Sequence, residues 1–325
     1  MISNILKYGI GIISDLTEIR LHERIFKAKN CKVKSSAGRV EKFENKTIIT
    51  IDSEAKGVVE IDVTCLDESA EVEIEIHVAS GSDIIIHEKT HIKDFLNLHL
   101  NLHLSPNTKV QYIIDQQANQ DKFIIAERDA YVGKDATLEW VDFELGAKIS
   151  KSEIHTHLLD AGANGQTFGL FYGRDKQVFD LYNVVHHTGS HTTSVMDFRG
   201  VLDDASKAVY RGLIRIPKGS AGCDGAQTEK TLLLSNQTKI SAVPDLEIEN
   251  NDVKCTHAVS TSRVDETSLF YLQSRGFSVL DAQKIIVESH LTPIISRIKD
   301  ESIRLRILDL VMNEIEHTCL SADRN

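Results

Sequence analysis

The sequence predicts a mainly β protein with helical segments at both ends. Between Lys46 and Ile248 nearly every stretch is a short run of alternating apolar and polar residues, bounded by a turn cluster. Before and after that region the apolar residues recur at helical spacing instead. The 325 residues include only 4 prolines and 18 glycines, so long disordered linkers are not expected.

Residues 1–45 form the first predicted unit, an N-terminal helical segment. Its stretch ILKYGIGIISDLTEIRLHERIF places apolar residues on one face of a helix. Lys7 and Asp15 interrupt the apolar run, and neither a basic leader nor a small-residue cleavage site is visible, so no signal peptide is expected. No apolar run in the sequence reaches the ~20 residues that a membrane span needs. We therefore expect a cytoplasmic protein.

Residues 46–260 form the second unit, a core of short strands. In EVEIEIHV (Glu71–Val78) the apolar side chains alternate onto one face, and DIIIHEKTHI, FLNLHLNLHL and KFIIAERDAYV continue this pattern. Either a β-sandwich or a parallel β-helix, in which each coil stacks on the previous one, fits such a series. The regular recurrence of short strands favours the solenoid, but no strict repeat motif is visible, so the pattern alone leaves both open.

Residues 261–325 form the third unit, a small helical domain. ETSLFYLQSRG predicts a helix that stops at Gly276, and Ser278 with Asp281 resembles the capping box of a second helix. Pro293 is expected at a break or in a first turn. DESIRLRILDLVMNEIEHTCL predicts a final amphipathic helix. About 60 residues rarely fold alone, so these helices should pack on the β-region or on a partner.

Charge and motif content narrow the function classes. Lys and Arg total 37 against 48 Asp and Glu, a net charge of -11 that argues against a nucleic-acid binder. The 5 cysteines are odd in number and scattered, and no C-x-x-C pair occurs, so neither a disulfide framework nor a common structural zinc site is expected. Nucleotide-binding and hydrolase motifs are also missing from the sequence. We expect no enzyme activity from the chain by itself, and any ATP hydrolysis should belong to another subunit.

Five segments between Asp180 and about Ile298 follow one another in a characteristic order: HHTGSHTTS, RGVLDDASKAVYRGLIRIPKG, TEKTLLLS, VPDLEIENNDVKCTH and ETSLFYLQSRGFSVLDAQKIIVES. In order and spacing they resemble the C-terminal half of the SufB/SufD family of iron–sulfur cluster assembly scaffolds, either a SufD-like protein or the homodimeric scaffold of a minimal system. Residues before about Asp180 match only in general character. The resemblance implies a right-handed parallel β-helix between helical ends.

The resemblance also implies a function and partners. Family members form SufB–SufD heterodimers or homodimers, and they bind the ABC-type ATPase SufC. This chain is then expected to support a transient iron–sulfur cluster at a subunit interface and to bind no nucleotide itself. The ATPase is expected to dock on Glu266–Leu291, and the expected contact residues are Phe270, Tyr271, Leu272, Arg275 and Gly276.

Cys255 and His257 are the first candidate cluster ligands. Iron and iron–sulfur clusters favour thiolates, followed by imidazoles and carboxylates. The two residues lie two positions apart in KCTHAVS, near a predicted strand end, so both side chains should share one face. Taken alone, the pattern is more typical of a buried cysteine and a hydrogen-bonded histidine. The resemblance favours ligands, because SufD has a matching histidine that supports cluster assembly.

Glu229 is the third candidate ligand, for iron and for the cluster. A gapless extension of the match places it where the SufB branch has a core cysteine. It could bind iron, or it could be a solvated residue at a coil corner, and the sequence leaves both open. Cys223, in GCDGA, is a possible replacement thiol, although a plain loop cysteine is the favoured interpretation.

His187 is a further candidate metal ligand, because it matches a family histidine. Strand alternation would put it on the same face as His191 and opposite His186. A histidine or threonine ladder inside the β-helix is the favoured alternative. His99 and His103 are expected to be outward strand residues. No function is expected for Cys31, Cys65 or Cys319.

Two other functions compete with the scaffold. The first is a purely structural SUF partner that never contacts iron. The second is a carbohydrate-active β-helix enzyme, which would need paired carboxylates and commonly aromatic platforms for the sugar. Aromatic residues make up only 6% of the chain and no acidic pair stands out, so the second is disfavoured.

Overall fold

The computed structural model describes residues 31–43, 46–116 and 118–322. Strands dominate this part of the chain, and helices follow them. In chain order the elements are β1 (Cys31–Ser35), β2 (Arg39–Lys42), β3 (Lys46–Ile51), β4 (Lys56–Cys65), β5 (Ser69–Val78), β6 (Asp83–Ile92), β7 (Phe95–Leu104), β8 (Lys109–Gln116), β9 (Phe123–Val132), β10 (Thr137–Glu144), β11 (Ile149–Leu158), β12 (Asn164–Gly173), β13 (Val178–His187), β14 (Thr193–Leu202), β15 (Lys207–Ile216), β16 (Cys223–Leu233), β17 (Lys239–Ile248), β18 (Val253–Arg263), α1 (Glu266–Ser274), α2 (Val279–Ile295) and α3 (Glu301–Ala322).

The strands form two nine-stranded sheets. We call the sheet ordered β1-β4-β6-β8-β10-β12-β14-β16-β18 the helix-covered sheet, and the sheet ordered β17-β15-β13-β11-β9-β7-β5-β3-β2 the exposed sheet. From β3 onward, consecutive strands lie in alternate sheets, and each pairs in parallel with the strand two places later. This arrangement is a solenoid of about 8 coils. It confirms the predicted parallel β-helix and excludes the sandwich.

The length of a coil varies along the solenoid. Paired residues are separated by as few as 26 positions, as in Ser69 and Phe95, and by as many as 32, as in Lys207 and Lys239. The turns at the corners differ in length between coils. The strands therefore stay in register although the sequence shows no strict repeat.

Stacked apolar side chains fill the interior. Every second residue of β5 from Ala70 to Val78 is buried, and β7 repeats this pattern from Leu96 to Leu104. The register places Ile74 directly beside Leu100, so the inward residues of successive coils form continuous columns. Burying one such side chain stabilises the fold by roughly 1.5–3 kcal/mol.

Polar residues turn the chain at several corners. Asn107, Asp135, Asp175 and Asp204 have φ angles of 58°, 54°, 53° and 51°, in the left-handed region. Asn and Asp tolerate this conformation better than most side chains, because their short polar groups bond to the nearby backbone. The turn clusters identified in the sequence therefore mark real corners.

Strand structure begins earlier than the sequence boundary at residue 45. β1 and β2 pair antiparallel with β4 and β3, so residues 31–42 extend the sheets, although the sequence placed them in a helical segment. The helical periodicity of residues 5–26 lies outside the described residues. Cys65 is buried and disulfide-bonded, which the scattered cysteines did not predict. Sequence spacing alone does not reveal cysteine pairs that strand pairing brings together.

The second and third helices pack on the outer face of the helix-covered sheet. Ile303, Ile307, Val311 and Ile315 of α3 form one buried stripe and share a core with Phe143 of β10. This confirms the expectation that the helical region packs on the β-region. In the described part of the chain, no helix is long and apolar enough to cross a bilayer.

The helix ends follow the capping signals in the sequence. After α1, Gly276 has a φ of 97°, its N–H donates to the Gln273 carbonyl at 2.9 Å, and the Phe277 N–H donates to the Leu272 carbonyl. This is a Schellman motif. Ser278 caps α2 by accepting the Asp281 N–H. Pro293, expected at a break or in a first turn, instead lies inside α2 near its C-terminal end, where its missing N–H removes one i→i−4 hydrogen bond of the helix.

Candidate functional site

Cys255 and His257 lie on β18, the last strand of the helix-covered sheet. Their Cα partners on β16 are Gly225 and Gln227, and the two side chains share the face that continues the solenoid interior. Among the described residues, no further coil stacks on β18, so the Cys255 side chain is half-buried and His257 is exposed. The sequence prediction that both occupy one face of a strand is consistent with this register.

The Cys255 thiol is free and packs against the interior apolar core. Burial raises the pKa of this thiol above its usual range. The neutral thiol is therefore the resting form at neutral pH. A metal ion or cluster that binds here must displace its proton, because the thiolate is the ligand.

Glu229 is buried inside the solenoid near its open end. Its side chain is 1% exposed, which excludes the alternative of a solvated residue at a corner. The Thr231 hydroxyl donates to Oε1, while Oε2 has no hydrogen-bond partner in the described part of the chain. Burial raises the pKa of Glu229 to about 7. A carboxyl group in this state is poised between its neutral and charged forms at physiological pH.

Two other buried polar groups near Glu229 lack partners. The hydroxyl of Tyr210 and Oε1 of Gln227 have none among the described residues, although Gln227 Nε2 donates to the Asp245 carbonyl at 2.9 Å. An added Cβ on Gly212 would lie 2.2 Å from Gln227 Oε1 and 3.0 Å from the Tyr210 hydroxyl, so these two atoms are close together. Sequence reasoning missed both residues, because inward polar side chains look like ordinary strand positions.

Cys223 is the first residue of β16 rather than a loop residue. It is 2% exposed, and its Sγ lies 3.1 Å from Thr192 Oγ1. The side chain points inward, on the same face of β16 as Glu229. The favoured interpretation of a plain loop cysteine was therefore wrong, because the strand starts within the glycine-flanked segment.

The candidate ligands share one interior face but do not converge on one point. The Cα partner of Glu229 is Val259, two positions beyond His257. Among the described residues, the group of three possible metal ligands within 4.8 Å of one another does not include Cys255, His257 or Glu229. A complete metal site at this end therefore needs side-chain movement or ligands from another chain.

His187 is a buried core residue of β13. Its Nδ1 lies 2.7 Å from Thr192 Oγ1 and its Nε2 lies 2.8 Å from Ser194 Oγ, so both ring nitrogens are engaged. Burial lowers the pKa of His187 to about 4, which keeps the ring neutral. This geometry supports the structural interpretation rather than a metal ligand. His191 lies in the following turn with a φ of 54° rather than on the strand face of His187.

The first helix, α1, presents the residues predicted to dock an ATPase. None of its residues is buried; Phe270 is 72% exposed and Tyr271 is 55% exposed. Leu272 is half-buried, and the Arg275 guanidinium lies 5.2 Å from the centroid of the Tyr271 ring. Gly276 ends the helix beside them. Packing on the β-helix therefore leaves these two aromatic side chains of α1 uncovered.

The protein is a parallel β-helical solenoid. Its open end carries a thiol, an imidazole and a buried carboxyl group, which are candidate iron ligands. Residues 49–290 match the family described as SUF system FeS cluster assembly, SufBD core domain. The chain belongs to this SufBD family of iron–sulfur cluster assembly proteins.

Curated relatives agree with this assignment. The chain is 26% identical to the iron–sulfur cluster assembly protein SufD of Escherichia coli over 243 residues, which cover 75% of this chain and 56% of that protein. It is 26% identical to SufD of Bacillus subtilis over 65% of this chain and 48% of that protein. An iron–sulfur cluster assembly SufBD family protein of Synechocystis is 25% identical, with 67% and 48% covered. The chain thus spans about half the length of the curated relatives it matches.

Proposed function

We propose that this chain is a scaffold subunit on which an iron–sulfur cluster is assembled at a subunit interface, with Cys255, His257 and Glu229 as its contribution. The observation that carries the proposal is their placement: all three face the interior side of the last two coils, at the end where no further described coil follows. Thiolate, imidazole and carboxylate are ligand types that iron accepts. The cluster is cargo that must leave, so an incomplete ligand set within one chain suits the task.

The open end of the solenoid supports a second subunit. β17 and β18 each pair with a single described strand and leave one edge unpaired. Ile248 and Val259 are 38% and 40% exposed there. Pro244 in β17 lacks an N–H, which suits an edge strand. Unpaired edges with apolar side chains are typical sites for pairing between chains, so the partner is a second copy or a SufB-like subunit.

The exposed side chains of α1 support an ATPase partner. Phe270 and Tyr271 form an aromatic surface beside Arg275, and aromatic and arginine residues dominate many binding interfaces. An ABC-type, SufC-like ATPase docked here would act by binding two scaffold conformations with different affinity in its nucleotide states. The chain itself then needs no nucleotide, and the machine is expected to work in the cytoplasm.

Anaerobic reconstitution with ferrous iron and sulfide tests the proposal. Cys255→Ser, His257→Ala and Glu229→Ala should each reduce the iron and sulfide retained, while circular dichroism shows an intact β-helix. Their effects should not add if the residues act as one unit. His187→Asn is the matched control, because both ring nitrogens of His187 already bond to hydroxyl groups in the core and are not free to bind iron. Equal iron and sulfide in all three variants and the parent would leave a purely structural SUF partner as the better interpretation.

A further inference from the structure

The outer face of the exposed sheet carries a column of five rings on successive strands, and sequence reasoning did not identify it. The members, in order, are His77, His103, Tyr131, His157 and His186. Neighbouring ring centroids lie 4.8 or 4.9 Å apart, and the ring planes deviate by 5° to 11°. The spacing is that of paired strands, because the parallel register places each ring beside the next. A search for histidines spaced by one coil length could have found it.

One end of this column also contains a carboxylate. Glu75 precedes His77 by two positions on β5, so both point outward on the same face. Glu75 Oε1 lies 2.8 Å from His77 Nε2 and 3.7 Å from His103 Nε2. The ligand atoms of the three residues all lie within 4.8 Å of one another. Their side chains are 20%, 43% and 38% exposed, so ions from solution can reach them.

We propose that Glu75, His77 and His103 bind one divalent transition-metal ion through a carboxylate oxygen and two imidazole nitrogens. Zinc and similar first-row ions accept this ligand set at about 2.0–2.2 Å, which puts neighbouring ligand atoms of a tetrahedral site roughly 3.3–3.6 Å apart. The observed separations of 2.8 and 3.7 Å bracket that range. Three protein ligands at a half-exposed surface leave coordination positions for water, so the ion should exchange readily. The site is separate from the open end of the solenoid and does not depend on the cluster proposal.

Two features of the outer face of the exposed sheet oppose metal binding and must change when the ion binds. Lys46 Nζ lies 2.5 Å from Glu75 Oε2 and 2.8 Å from Glu73 Oε1, so its ammonium competes for the carboxylate. One imidazole must also tilt out of the stack, because parallel rings hold their nitrogens farther apart than one ion allows.

The other end of the same column provides a matched control. His157 and His186 stack as closely as His77 and His103 do, at 4.8 Å, and His157 Nε2 lies 3.1 Å from Asp129 Oδ1. No group of three ligands within 4.8 Å forms there among the described residues. Replacing His186 therefore removes a ring from the column without touching the proposed ligands.

Calorimetric titration of the full chain with Zn²⁺ tests the proposal, in a Cys255→Ser background that removes the half-buried thiol. His103→Ala and Glu75→Gln should each weaken the binding of one zinc equivalent by about tenfold or more, whereas His186→Ala should leave it unchanged. Lys46→Met should strengthen binding, and a gain cannot result from unfolding. Unchanged binding in His103→Ala, or a loss in His186→Ala as large as in His103→Ala, would overturn the assignment. Unchanged affinity in Lys46→Met would remove Glu75 from the ligand set and overturn it as well.

Discussion

Glu229 shows how much of the candidate site depends on the environment of a single side chain. From the sequence, a solvated corner residue and an iron ligand were equally supported, because a lone glutamate in a strand pattern does not indicate which residues surround it. In the structure, Glu229 lies on β16 with its side chain inside the solenoid, and one of its carboxylate oxygens has no hydrogen-bond partner among the described residues. The shared strand face of Cys255 and His257 was easier to predict, since residues two positions apart in a strand point to the same side. The sequence could not show that these candidate ligands fail to meet at one point, because their separation depends on the register between β16 and β18.

Glu229 should make the stability of the folded chain depend on pH. Its pKa is about 7 in the folded state and about 4.5 when unfolded, so the folded state binds the proton more tightly. The free energy of unfolding should therefore fall as pH rises from about 4.5 to 7, and by no more than roughly 3 kcal/mol. Glu229→Gln mimics the neutral form and should flatten this part of the profile, with its advantage greatest at pH 8. Urea titrations of both proteins at pH 5 and pH 8 measure this, and identical pH profiles would contradict the account.

At the scale of elements, the three C-terminal helices have different roles. The sequence predicted all three, because capping signals at Gly276 and Ser278 and the apolar spacing of α3 are local features. The sequence could not indicate which of the three helices belong to the core and which lie on the surface. α2 and α3 share a core with the helix-covered sheet, whereas α1 buries no residue. Deleting everything from Glu266 onward would therefore expose Phe143 and its neighbours, so point changes are the better probes.

Changes in α1 should affect the ATPase partner and leave the fold intact. Phe270→Ala and Tyr271→Ala remove exposed side chains, so the melting temperature should hardly change. Each should weaken binding of a SufC-like ATPase by tenfold or more if these are anchor residues, since such residues contribute about 2 kcal/mol. Leu305→Ala, at a 52% exposed position on α3, is the control. Retained ATPase binding in a Phe270→Ala, Tyr271→Ala double variant would place the interface elsewhere.

Changes in α3 should have the opposite effect, on stability. Ile307 is fully buried against the helix-covered sheet, so Ile307→Ala should cost about 2–5 kcal/mol of unfolding free energy. Leu305→Ala, two residues away on the solvent side, should cost under about 1 kcal/mol. Chemical denaturation of both variants gives the comparison. Equal losses would mean that α3 does not pack on the sheet as described.

At the scale of the whole molecule, the strand pattern predicted a mainly β chain and the family resemblance resolved the architecture. The alternation in β5 and β7 identified the strands, but coils of 26 to 32 residues concealed the repeat that distinguishes a solenoid from a sandwich. The column from His77 to His186 escaped notice for the same reason, since contacts between coils connect residues far apart in the chain. The open end at β17 and β18 is likewise a property of the assembled coils.

The open end should form a dimer. Ile248→Lys places a charge at the end of edge strand β17, where Ile248 is 38% exposed, so a solvated lysine should disfavour pairing with a second chain. Leu159→Lys is the control, because Leu159 is similarly exposed at 43% but lies after β11, away from this edge. Sedimentation at micromolar concentration should show a dimer for the parent and for Leu159→Lys, and a monomer for Ile248→Lys. A monomeric parent would exclude the homodimer and leave a SufB-like subunit as the partner.

The most direct test of assembly at a subunit interface is the iron and sulfide content of Ile248→Lys after anaerobic reconstitution. This variant retains Cys255, His257 and Glu229 and changes only the edge where a second chain would pair. We expect the parent and Leu159→Lys to retain iron and sulfide with a charge-transfer absorbance, and monomeric Ile248→Lys to retain little of either. A monomeric Ile248→Lys that holds as much iron and sulfide as the dimeric parent would contradict this expectation, because the cluster would then lie within one chain.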